Sequence, residues 1–562
     1  MIFSLFLQVE FGNSFMDLHR IVRRELNPGS IFWLFVILQL VFNFSWQLLY
    51  PDAMASVMTV GLSGVIAAVA TLPAVLLKKH RRWMTVYVTI VLTWMTVLIV
   101  ADYFILINFR NVVCQDIVDI IYETNTSESS EFLDTYLSAG RVLIGIAALA
   151  LLLTLALILA KIVSAMRWAH FAAAVVTAVG VLTGAYCVFN FVKYRDGHSI
   201  PQFTSATRTV HSLYMLRQRV GETKAIIDNS RRLLTDVAGA TSSVSDLTVV
   251  LVIGESHSTF HTPAYGYEKN TMPLISSRKL TDSIVWLRDV IAVSDHTHPV
   301  MCSLFSHRLP RSGEEVIFPA VFKHLDYKSY LYDNQYISGQ GVSFINDATL
   351  SGLVYDDRNN YSYSDEDLMS LTEADSTGRN LVVYHLMGSH YTYAARYPHE
   401  RFGKFAASDY AESHTPEQRE ILAHYDNSIV YTDFLLDRLL SRLQDRNAVV
   451  VYLSDHGEEV FDIDSYLGHG TASGRSNKDY QLRIPMFVWM SEKYTETHPG
   501  RFGQLLSNAD KPFISSLTSH LLLDLADAPD SLLDLTNSIA NRGFVPQERI
   551  TLHSFNYDHR GL

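Results

Sequence analysis

The chain has 562 residues, of which 48% are hydrophobic, and its mean hydropathy is positive, which argues against a wholly soluble protein. A formal net charge of −12 argues against a nucleic-acid-binding surface, which would have to be basic. The three cysteines, which are scattered along the chain, are too few for a disulfide framework or a cysteine-type zinc site.

Nearly all long uncharged stretches lie in the first 192 residues. A membrane-crossing helix needs about 20 apolar residues. We predict five such helices, at residues 31–50, 55–77, 84–107, 142–162 and 168–192. Asp102, near the outer end of the third helix, is expected to face the membrane interface.

Basic residues occur before the first predicted helix, between the second and third, and between the fourth and fifth. They are His19, Arg20, Arg23, Arg24, Lys78, Lys79, Arg81, Arg82, Lys161 and Arg167. All of them fall on one side of the membrane, which the positive-inside rule makes cytoplasmic. The loop on the opposite side, residues 108–141, is acidic. Five crossings then place the rest of the chain outside the cytoplasm.

The predicted organisation has four parts. Residues 1–30 form a cytoplasmic segment, residues 31–192 a five-helix transmembrane domain, residues 193–246 a bridging helical linker, and residues 247–562 a catalytic α/β domain.

In the last part, strand-like runs alternate with helical patterns. The clearest are strands from residue 247, at 329–332, at 381–385 and at 448–453, and a helix at 418–443. This alternation is typical of an α/β/α domain, in which helices cover both faces of a mainly parallel sheet.

Two of these strands are followed by residues of the types that commonly bind metals. Glu255 follows the strand 248–253, and Asp455 and His456 follow the strand 448–453. Because sites in parallel sheets collect at the carboxyl ends of strands, the three side chains are expected to meet there. Two carboxylates and an imidazole suit zinc or manganese.

A bound metal commonly activates a hydroxyl group or a water molecule. Thr297 precedes an apolar stretch with Pro299 near its start, a pattern that favours a helix beginning close to the hydroxyl. Backbone N–H groups at a helix start would stabilise a phosphoryl oxygen. Ser294 is the rival nucleophile, and spacing alone does not choose between the two.

Three motifs occur in a defined order: Gly254-Glu255-Ser256, Thr297 and Ser454-Asp455-His456-Gly457-Glu458. In this order, and behind five predicted spans, they resemble bacterial phosphoethanolamine transferases of the alkaline phosphatase/sulfatase superfamily. The resemblance covers essentially the whole chain. Further stretches are most similar to the branch that modifies the heptose of the lipopolysaccharide core, at residues 122–128, 385–390, 397–398, 454–460 and 484–493.

The resemblance implies a zinc enzyme with a threonine nucleophile. The matching zinc ligands are Glu255, Thr297, Asp455 and His456. It favours Thr297 over Ser294 as the nucleophile. One zinc ion is expected, a second could be held nearby, and manganese is less favoured.

The resemblance also implies substrate-binding residues. His390 and His469 match residues near the substrate phosphate, and Thr124 and Glu128 match residues that bind the phosphoethanolamine head. Thr124 and Glu128 are four positions apart, so a helix would place them on one face.

The implied reaction moves phosphoethanolamine from phosphatidylethanolamine to the lipopolysaccharide core or a related envelope glycan. The protein would be a multi-pass protein of the bacterial inner membrane, with its catalytic domain in the periplasm. Alternatives are transfer to lipid A phosphate or a periplasmic glucan, glycerol phosphate transfer, and a phosphatase- or sulfatase-type hydrolase. Against a sulfatase, no Cys/Ser-x-Pro-x-Arg run occurs between residues 290 and 310.

Three departures argue against lipid A as acceptor. Ile120 stands where the lipid A branch often has asparagine, and Cys302 has no partner for the disulfide that this branch forms beside the nucleophile. A serine–lysine pair is not evident after Tyr332-Asp333-Asn334.

Ordinary structural roles compete with these assignments. Glu255 could cap a helix, and Thr124 and Glu128 could form a solvated helix face. His296 and His298, which flank Thr297, are expected to be exposed polar residues.

Overall fold

A computed structural model of the chain describes residues 8–10, 15–17, 25–49, 53–109, 112–113, 117–118, 139–194, 204–235, 246–278, 283–335, 356–359, 364–370, 378–463, 466–469, 475–552 and 555–559. The chain forms two compact units, Met1–Arg219 and Val220–Leu562. The division falls inside a helix, Ser205–Thr235, that occupies much of the predicted linker 193–246.

The first unit is mainly helical. Its helices are α1 (Pro28–Leu49), α2 (Ala53–Leu76), α3 (Arg81–Phe109), α4 (Ala139–Ala165), α5 (Ala169–Tyr194) and α6 (Ser205–Thr235), the last of which continues into the second unit. A small antiparallel pair precedes them, formed by β1 (Gln8–Glu10) and β2 (Phe15–Asp17).

Within the described residues, four helices are long and apolar enough to cross a membrane. They are Ser56–Leu76, Arg81–Asn108, Val142–Ala165 and Ala169–Lys193. These match the second to fifth predicted spans, which are therefore confirmed as membrane-length helices. The first predicted span is also helical, as α1, but its described apolar part, Pro28–Val41, is shorter. The count of five spans stays a prediction.

The expectation that Asp102 faces the membrane interface is wrong. Asp102 is fully buried, and its Oδ2 lies 2.8 Å from Nη2 of Arg208, which is also buried. The Arg208 guanidinium donates a second hydrogen bond, from Nε to the carbonyl of Val113, at 2.9 Å. A buried charge requires such a partner. Sequence spacing did not reveal it, because 106 positions separate the two residues.

The second unit is built on a seven-stranded mixed sheet. In chain order its strands are β3 (Leu247–Gly254), β4 (Ser283–Leu287), β8 (Lys328–Asp333), β9 (Asp356–Asn359), β10 (Arg379–His385), β11 (Ala448–Ser454) and β14 (Met486–Met490). Their spatial order is β4-β14-β11-β3-β10-β8-β9. The pairs from β11 to β9 are parallel, whereas β14 is antiparallel to both β11 and β4. The predicted mainly parallel sheet is thus confirmed, with an antiparallel edge that the sequence pattern did not predict.

Short strands pair outside this sheet. They are β5 (Val290–Ile291) with β15 (Phe513–Ile514), β6 (Ser306–Arg308) with β7 (Glu315–Ile317), and β12 (Glu459–Val460) with β13 (Leu467–Gly468).

Further helices form in the second unit, all of them after β3. They are α7 (Pro273–Arg278), α8 (Thr297–Phe305), α9 (Phe318–His324), α10 (Asp365–Ser370), α11 (His399–Phe402), α12 (Pro416–Leu443), α13 (Arg475–Leu482), α14 (Glu492–Thr497), α15 (Arg501–Asn508) and α16 (Thr518–Leu525). The long helix α12 begins at a capping box formed by Thr415 and Gln418, with Pro416 in its first turn.

Strand β3 shows why the sheet has two cores. Its alternate side chains Val249, Leu251 and Ile253 belong to one buried cluster, which also contains residues of α8, α9 and α16. Val250 and Val252 belong to a second cluster, which contains residues of α12. Because successive side chains of a strand point to opposite faces, a strand buried on both faces must be apolar throughout. This arrangement gives the α/β/α layers.

The strand register sets the position of the site. Gly254 pairs with Ser454 at the ends of β3 and β11, and His385 of β10 pairs with Ile253 on the other side of β3. Asp333, the last residue of β8, pairs in turn with His385. The residues that follow these four strands therefore emerge side by side at one edge of the sheet.

Candidate active site

The turns after β3 and β11 bring Glu255 and Asp455 together. The Asp455 N–H donates to the Gly254 carbonyl at 3.0 Å, which continues the strand pairing by one residue. The chain then bends at Ser256, which has a φ of 55°. Its N–H donates to Oδ1 of Asp455 at 3.0 Å, and this bond stabilises the bend.

Glu255, Asp455 and His456 form a compact, fully buried group. One ligand atom from each residue lies within 4.8 Å of the others. Nε2 of His456 is 3.2 Å from Oδ2 of Asp455 and 3.4 Å from Oε1 of Glu255. The sequence therefore predicted this grouping correctly, and Glu255 does not cap an α-helix.

Two atoms of this group suit a metal ion. Oδ2 of Asp455 is buried and has no hydrogen-bond partner among the described residues. Nδ1 of His456 donates to the carbonyl of Gly457 at 2.8 Å, so Nε2 is the ring nitrogen that faces the carboxylates and would bind an ion in exchange for its proton. Two oxygens and one nitrogen with available lone pairs are a donor set that zinc prefers.

The electrostatics of the group also favour a cation. Burial raises the pKa of Asp455 to about 7, and the nearby charge of Glu255 adds to this effect. Burial by itself would also raise the pKa of Glu255. The charge of His456 outweighs this effect and holds the Glu255 pKa below its ordinary value. Burial by itself would lower the pKa of His456. The negative charges of Asp455 and Glu255 outweigh this effect and raise the pKa to about 9. The group contains more negative than positive charge, and a divalent cation would compensate for the difference.

Thr297 is the first residue of α8 and lies beside this group. Its Oγ1 is 3.2 Å from Oε2 of Glu255 and 3.3 Å from Nε2 of His456. The side chain is partly exposed, so a substrate could reach it. Ser294 is instead fully buried, and its Oγ has no hydrogen-bond partner among the described residues. The geometry brings Thr297, and not Ser294, to the candidate metal ligands.

His469 adjoins the same group. Its ring centroid is 4.0 Å from that of His456, and its Nδ1 lies 2.5 Å from Oε2 of Glu458. Tyr393 donates to the other Glu458 oxygen at 2.5 Å. His456, Glu458 and His469 form a second group with ligand atoms within 4.8 Å of one another.

His390 lies in the turn that follows β10. The Ser389 N–H donates to the Glu255 carbonyl at 3.0 Å, which ties this turn to β3. Nδ1 of His390 is buried without a hydrogen-bond partner among the described residues. Burial lowers the pKa of His390 to about 4, so the ring is neutral at pH 7.

Two further residues that support the site were missed by the sequence reasoning. Gln335 donates from Nε2 to Oε2 of Glu255 at 2.7 Å. Asp365 accepts from the N–H groups of Met387 and Gly388, both at 2.9 Å, and so fixes the turn that carries His390. Gln335 follows the end of β8, and the strand-end rule could have found it. Asp365 begins a short helix, and no sequence signal pointed to it.

The expected exposure of His296 and His298 is wrong, since both are buried. Helix α8 packs into the core, and Nε2 of His298 lies 3.5 Å from Sγ of Cys302. Cys302 is a free thiol. Thr124 and Glu128 lie outside the described residues.

Comparison with known proteins extends this description. A family model described as Sulfatase matches residues 248–538, more than half of the chain. Phosphoethanolamine transferase EptC of Escherichia coli strain K12 is 24% identical over 512 residues, which cover 85% of this chain and 86% of the relative. Kdo(2)-lipid A phosphoethanolamine 7''-transferase of the same strain is 28% identical over 289 residues, 48% of this chain and 49% of the relative.

Two solved structures share the fold. The integral membrane lipooligosaccharide phosphoethanolamine transferase A (EptA) from Neisseria meningitidis matches with a TM-score of 0.59 and 18% identity, over 91% of this chain and 97% of that one. The C-terminal periplasmic domain of Escherichia coli EptC, in complex with Zn, matches with a TM-score of 0.50 and 23% identity, over 57% of this chain and 97% of that one. The resemblance to phosphoethanolamine transferases indicated by the motifs is thus confirmed, and the chain belongs to the sulfatase family.

Proposed function

We propose that the protein transfers phosphoethanolamine from phosphatidylethanolamine to the lipopolysaccharide core, through a covalent intermediate on Thr297. It would do so from the bacterial inner membrane, with the second unit in the periplasm. The similarity to EptC, over 85% of the chain, supports the transferred group. The four membrane-length helices support a lipid donor, because they would keep the enzyme at the bilayer.

One observation carries the chemistry. The partly exposed Thr297 hydroxyl lies at the first turn of α8, 3.2 Å from Glu255 and 3.3 Å from His456. A nucleophilic hydroxyl needs a neighbour that lowers its pKa and donors that stabilise the phosphoryl oxygens. Helix N-terminal N–H groups are donors of this kind.

Glu255, Asp455 and His456 would hold zinc, with Thr297 completing the ligand set. Oδ2 of Asp455 supports this assignment, because it is buried without a hydrogen-bond partner among the described residues and lies 3.2 Å from Nε2 of His456. When bound, zinc would lower the pKa of the Thr297 hydroxyl and offset charge on the phosphoryl group. A mixed nitrogen and oxygen set suits zinc better than manganese, which prefers oxygen ligands.

In the first half-reaction, Oγ1 of Thr297 forms a bond to the phosphorus of phosphatidylethanolamine. The bond from phosphorus to the diacylglycerol oxygen breaks, and that oxygen takes up one proton as diacylglycerol leaves, which balances the proton that the Thr297 hydroxyl gives up. Oε2 of Glu255, 3.2 Å from Oγ1, is positioned to accept the hydrogen bond of the hydroxyl before attack. The product is phosphoethanolamine bound to Thr297.

In the second half-reaction, an acceptor hydroxyl or phosphate oxygen forms a bond to the same phosphorus, the bond from phosphorus to Oγ1 of Thr297 breaks, and Oγ1 regains its proton. Both half-reactions build negative charge on the phosphoryl oxygens. We assign the stabilisation of these oxygens to His390 and His469, and the 4.0 Å between the ring centroids of His469 and His456 supports the role of His469. Thr124 and Glu128 are proposed to hold the ethanolamine head.

The core is proposed as the acceptor on two grounds. The motif stretches at 122–128 and 484–493 are most similar to the core-modifying branch. The chain is also similar to EptC over 85% of its length.

A reconstituted transfer assay tests the proposal. The full chain is placed in vesicles that contain phosphatidylethanolamine labelled in its ethanolamine, with lipopolysaccharide as the acceptor. Mild acid then separates core from lipid A, and label is expected in the core. Label in lipid A would overturn the acceptor assignment. Transfer from glycerol-labelled phosphatidylglycerol, or release of the headgroup to water without transfer, would overturn the donor or the reaction class.

A further inference from the structure

The two carboxylate oxygens of Glu255 have different surroundings. Oε1 faces Nε2 of His456 at 3.4 Å and accepts from the Ser256 hydroxyl at 2.5 Å. Oε2 accepts from Thr297 at 3.2 Å and from the side-chain amide of Gln335 at 2.7 Å. The bond from Gln335 is the shorter of the two on Oε2, and it comes from a residue with no other part in the proposed chemistry.

The side-chain amide nitrogen of Gln335 donates two hydrogen bonds. Nε2 donates to Oε2 of Glu255 and also, at 2.8 Å, to the carbonyl of Leu386. An amide nitrogen has two hydrogens, and both are directed by these bonds. The side chain is buried, so water does not compete for either acceptor. Its orientation is therefore fixed, and it fixes the rotation of the Glu255 carboxylate in turn.

The main chain of Gln335 is anchored as well. Its N–H donates to Oδ1 of Asp333 at 2.9 Å, and the same oxygen accepts from Nδ1 of His385 at 2.9 Å. Asp333 and His385 are fully buried. The Asn334 side chain donates to Asp365 at 2.7 Å. The segment after β8 is thus held to β10 and its turn before it reaches Glu255.

We propose that Gln335 is a positioning residue for the metal site: it orients the Glu255 carboxylate so that Oε1 stays beside Nε2 of His456, where it would bind the ion. The inference rests on the proposed function, because it takes Glu255 as a metal ligand. A neutral amide suits this role. It directs a hydrogen bond to the ligand without cancelling the ligand's charge, as a lysine in this position would. Groups that orient a ligand in this way typically change metal affinity by about 10- to 100-fold when removed.

Metal titration of the full chain in detergent tests the role. Gln335→Met keeps the size and removes both hydrogen bonds, and Gln335→Asn keeps the amide but shortens its reach. Asn508→Leu is the matched control, because the buried Asn508 amide also donates twice, at 2.8 Å, to the carbonyls of Ile539 and Asn541. Zn²⁺ affinity is measured by competition with a chelator, and bound Co²⁺ by its visible absorption, which reports ligand geometry.

We expect both Gln335 variants to bind Zn²⁺ about 10- to 100-fold more weakly and to change the Co²⁺ spectrum. Asn508→Leu should lower the melting temperature and leave both metal readouts unchanged. Gln335 variants that melt earlier but bind Zn²⁺ and Co²⁺ as the parent does would overturn the inference, since a purely structural role predicts that result. A parent chain that binds no Zn²⁺ would instead remove the proposed function itself. If the Gln335→Met chain does not fold, the Zn²⁺ affinity and the Co²⁺ spectrum of Gln335→Asn decide the question.

Discussion

The Thr297 hydroxyl lies 3.3 Å from Nε2 of His456, although 159 positions separate the two residues in the chain. Thr297 begins a helix on one side of the sheet, and His456 follows a central strand. The strand register that aligns Ser454 with Gly254 brings His456 beside Glu255, whose Oε2 also lies 3.2 Å from the Thr297 hydroxyl. The proposed nucleophile therefore lies at the start of a helix, and the proposed ligand lies in the turn directly after a central strand.

Replacing Thr297 by alanine should abolish both the covalent adduct and the transfer. Loss of a nucleophile typically reduces the rate by roughly three orders of magnitude or more. The fold should be retained, because the side chain is partly exposed. The control is Ser294→Ala, which removes the rival hydroxyl and should keep most of the activity. Full transfer by Thr297→Ala, measured with labelled lipid, would remove Thr297 from its role.

Replacing Asp455 by asparagine should separate metal binding from folding. The amide oxygen can still accept the N–H groups of Ser256 and His456, which Oδ1 accepts in the parent. It no longer adds negative charge beside Glu255, so the metal-free variant should be at least as stable as the metal-free parent.

A chelator should therefore lower the melting temperature of the parent by several degrees but not that of Asp455→Asn. A ligand at 1,000 times its Kd adds about 4.1 kcal/mol to stability, and the chelator removes this contribution. The control is Asp433→Asn, a buried carboxylate that instead caps helix α7 through Leu274 and Ile275. It should respond to the chelator as the parent does. An equal response by Asp455→Asn would show that Asp455 does not bind the ion.

Replacing Gly388 by alanine should displace Glu255. Gly388 has a φ of 47°, and an added Cβ would lie 2.9 Å from the Glu255 backbone nitrogen. Gly313 is the matched control: its φ is 69°, and the nearest atom to an added Cβ is 3.7 Å away. Gly313→Ala should cost only the strain of the left-handed region, roughly 1–2 kcal/mol.

In Gly388→Ala the same backbone strain is present, and the added Cβ also overlaps the Glu255 backbone. Crowding of this kind lowers the free energy of unfolding by about 1–3 kcal/mol more. We also expect it to lose Zn²⁺ affinity, whereas Gly313→Ala should not. Unchanged Zn²⁺ binding by Gly388→Ala, measured by titration, would mean that the turn at residue 388 does not position Glu255.

His261 should make stability depend on pH. Its Nδ1 lies 2.6 Å from Asp426 and its Nε2 3.3 Å from Asp462. Burial opposes the charged form, but the two carboxylates outweigh it and raise the pKa of His261 to about 10. The unfolded value is about 6.5. The charge of His261 thus stabilises the fold fully below about pH 6.5, and this contribution is lost as the pH rises towards 10.

His261→Gln should cost about 3–5 kcal/mol near neutral pH, because it leaves buried carboxylates without their partner. The melting temperatures of parent and variant should differ most at pH 6 and converge as the pH approaches 10. A difference that stays constant or widens over this range would contradict the charged state of His261.

The fold was predictable where local pattern determines structure. The apolar β-branched runs predicted the strands β3 and β11, and the alternation of strand-like and helical runs predicted the α/β/α layers. The antiparallel strand β14 could not be predicted, because an apolar run buried on both faces has no signal for its direction. The Asp102–Arg208 pair could not be predicted either, since it joins residues 106 positions apart.

The site was predictable for residues that follow strands directly, such as Glu255, Asp455 and His456. Thr297 and Ser294 could not be separated by spacing alone, because the difference is three-dimensional: one side chain faces the ligands and the other is buried. Gln335 also follows a strand, so the strand-end rule could have found it, but a neutral amide is not among the side chains that commonly bind zinc.

The most direct test of the account is the mass of the peptide that contains Thr297, after the full chain is incubated with phosphatidylethanolamine and no acceptor. The account predicts a phosphoethanolamine increment on Thr297, which disappears when lipopolysaccharide is added. An unmodified Thr297 in a preparation that transfers the group, or an increment of phosphoglycerol in its place, would contradict it.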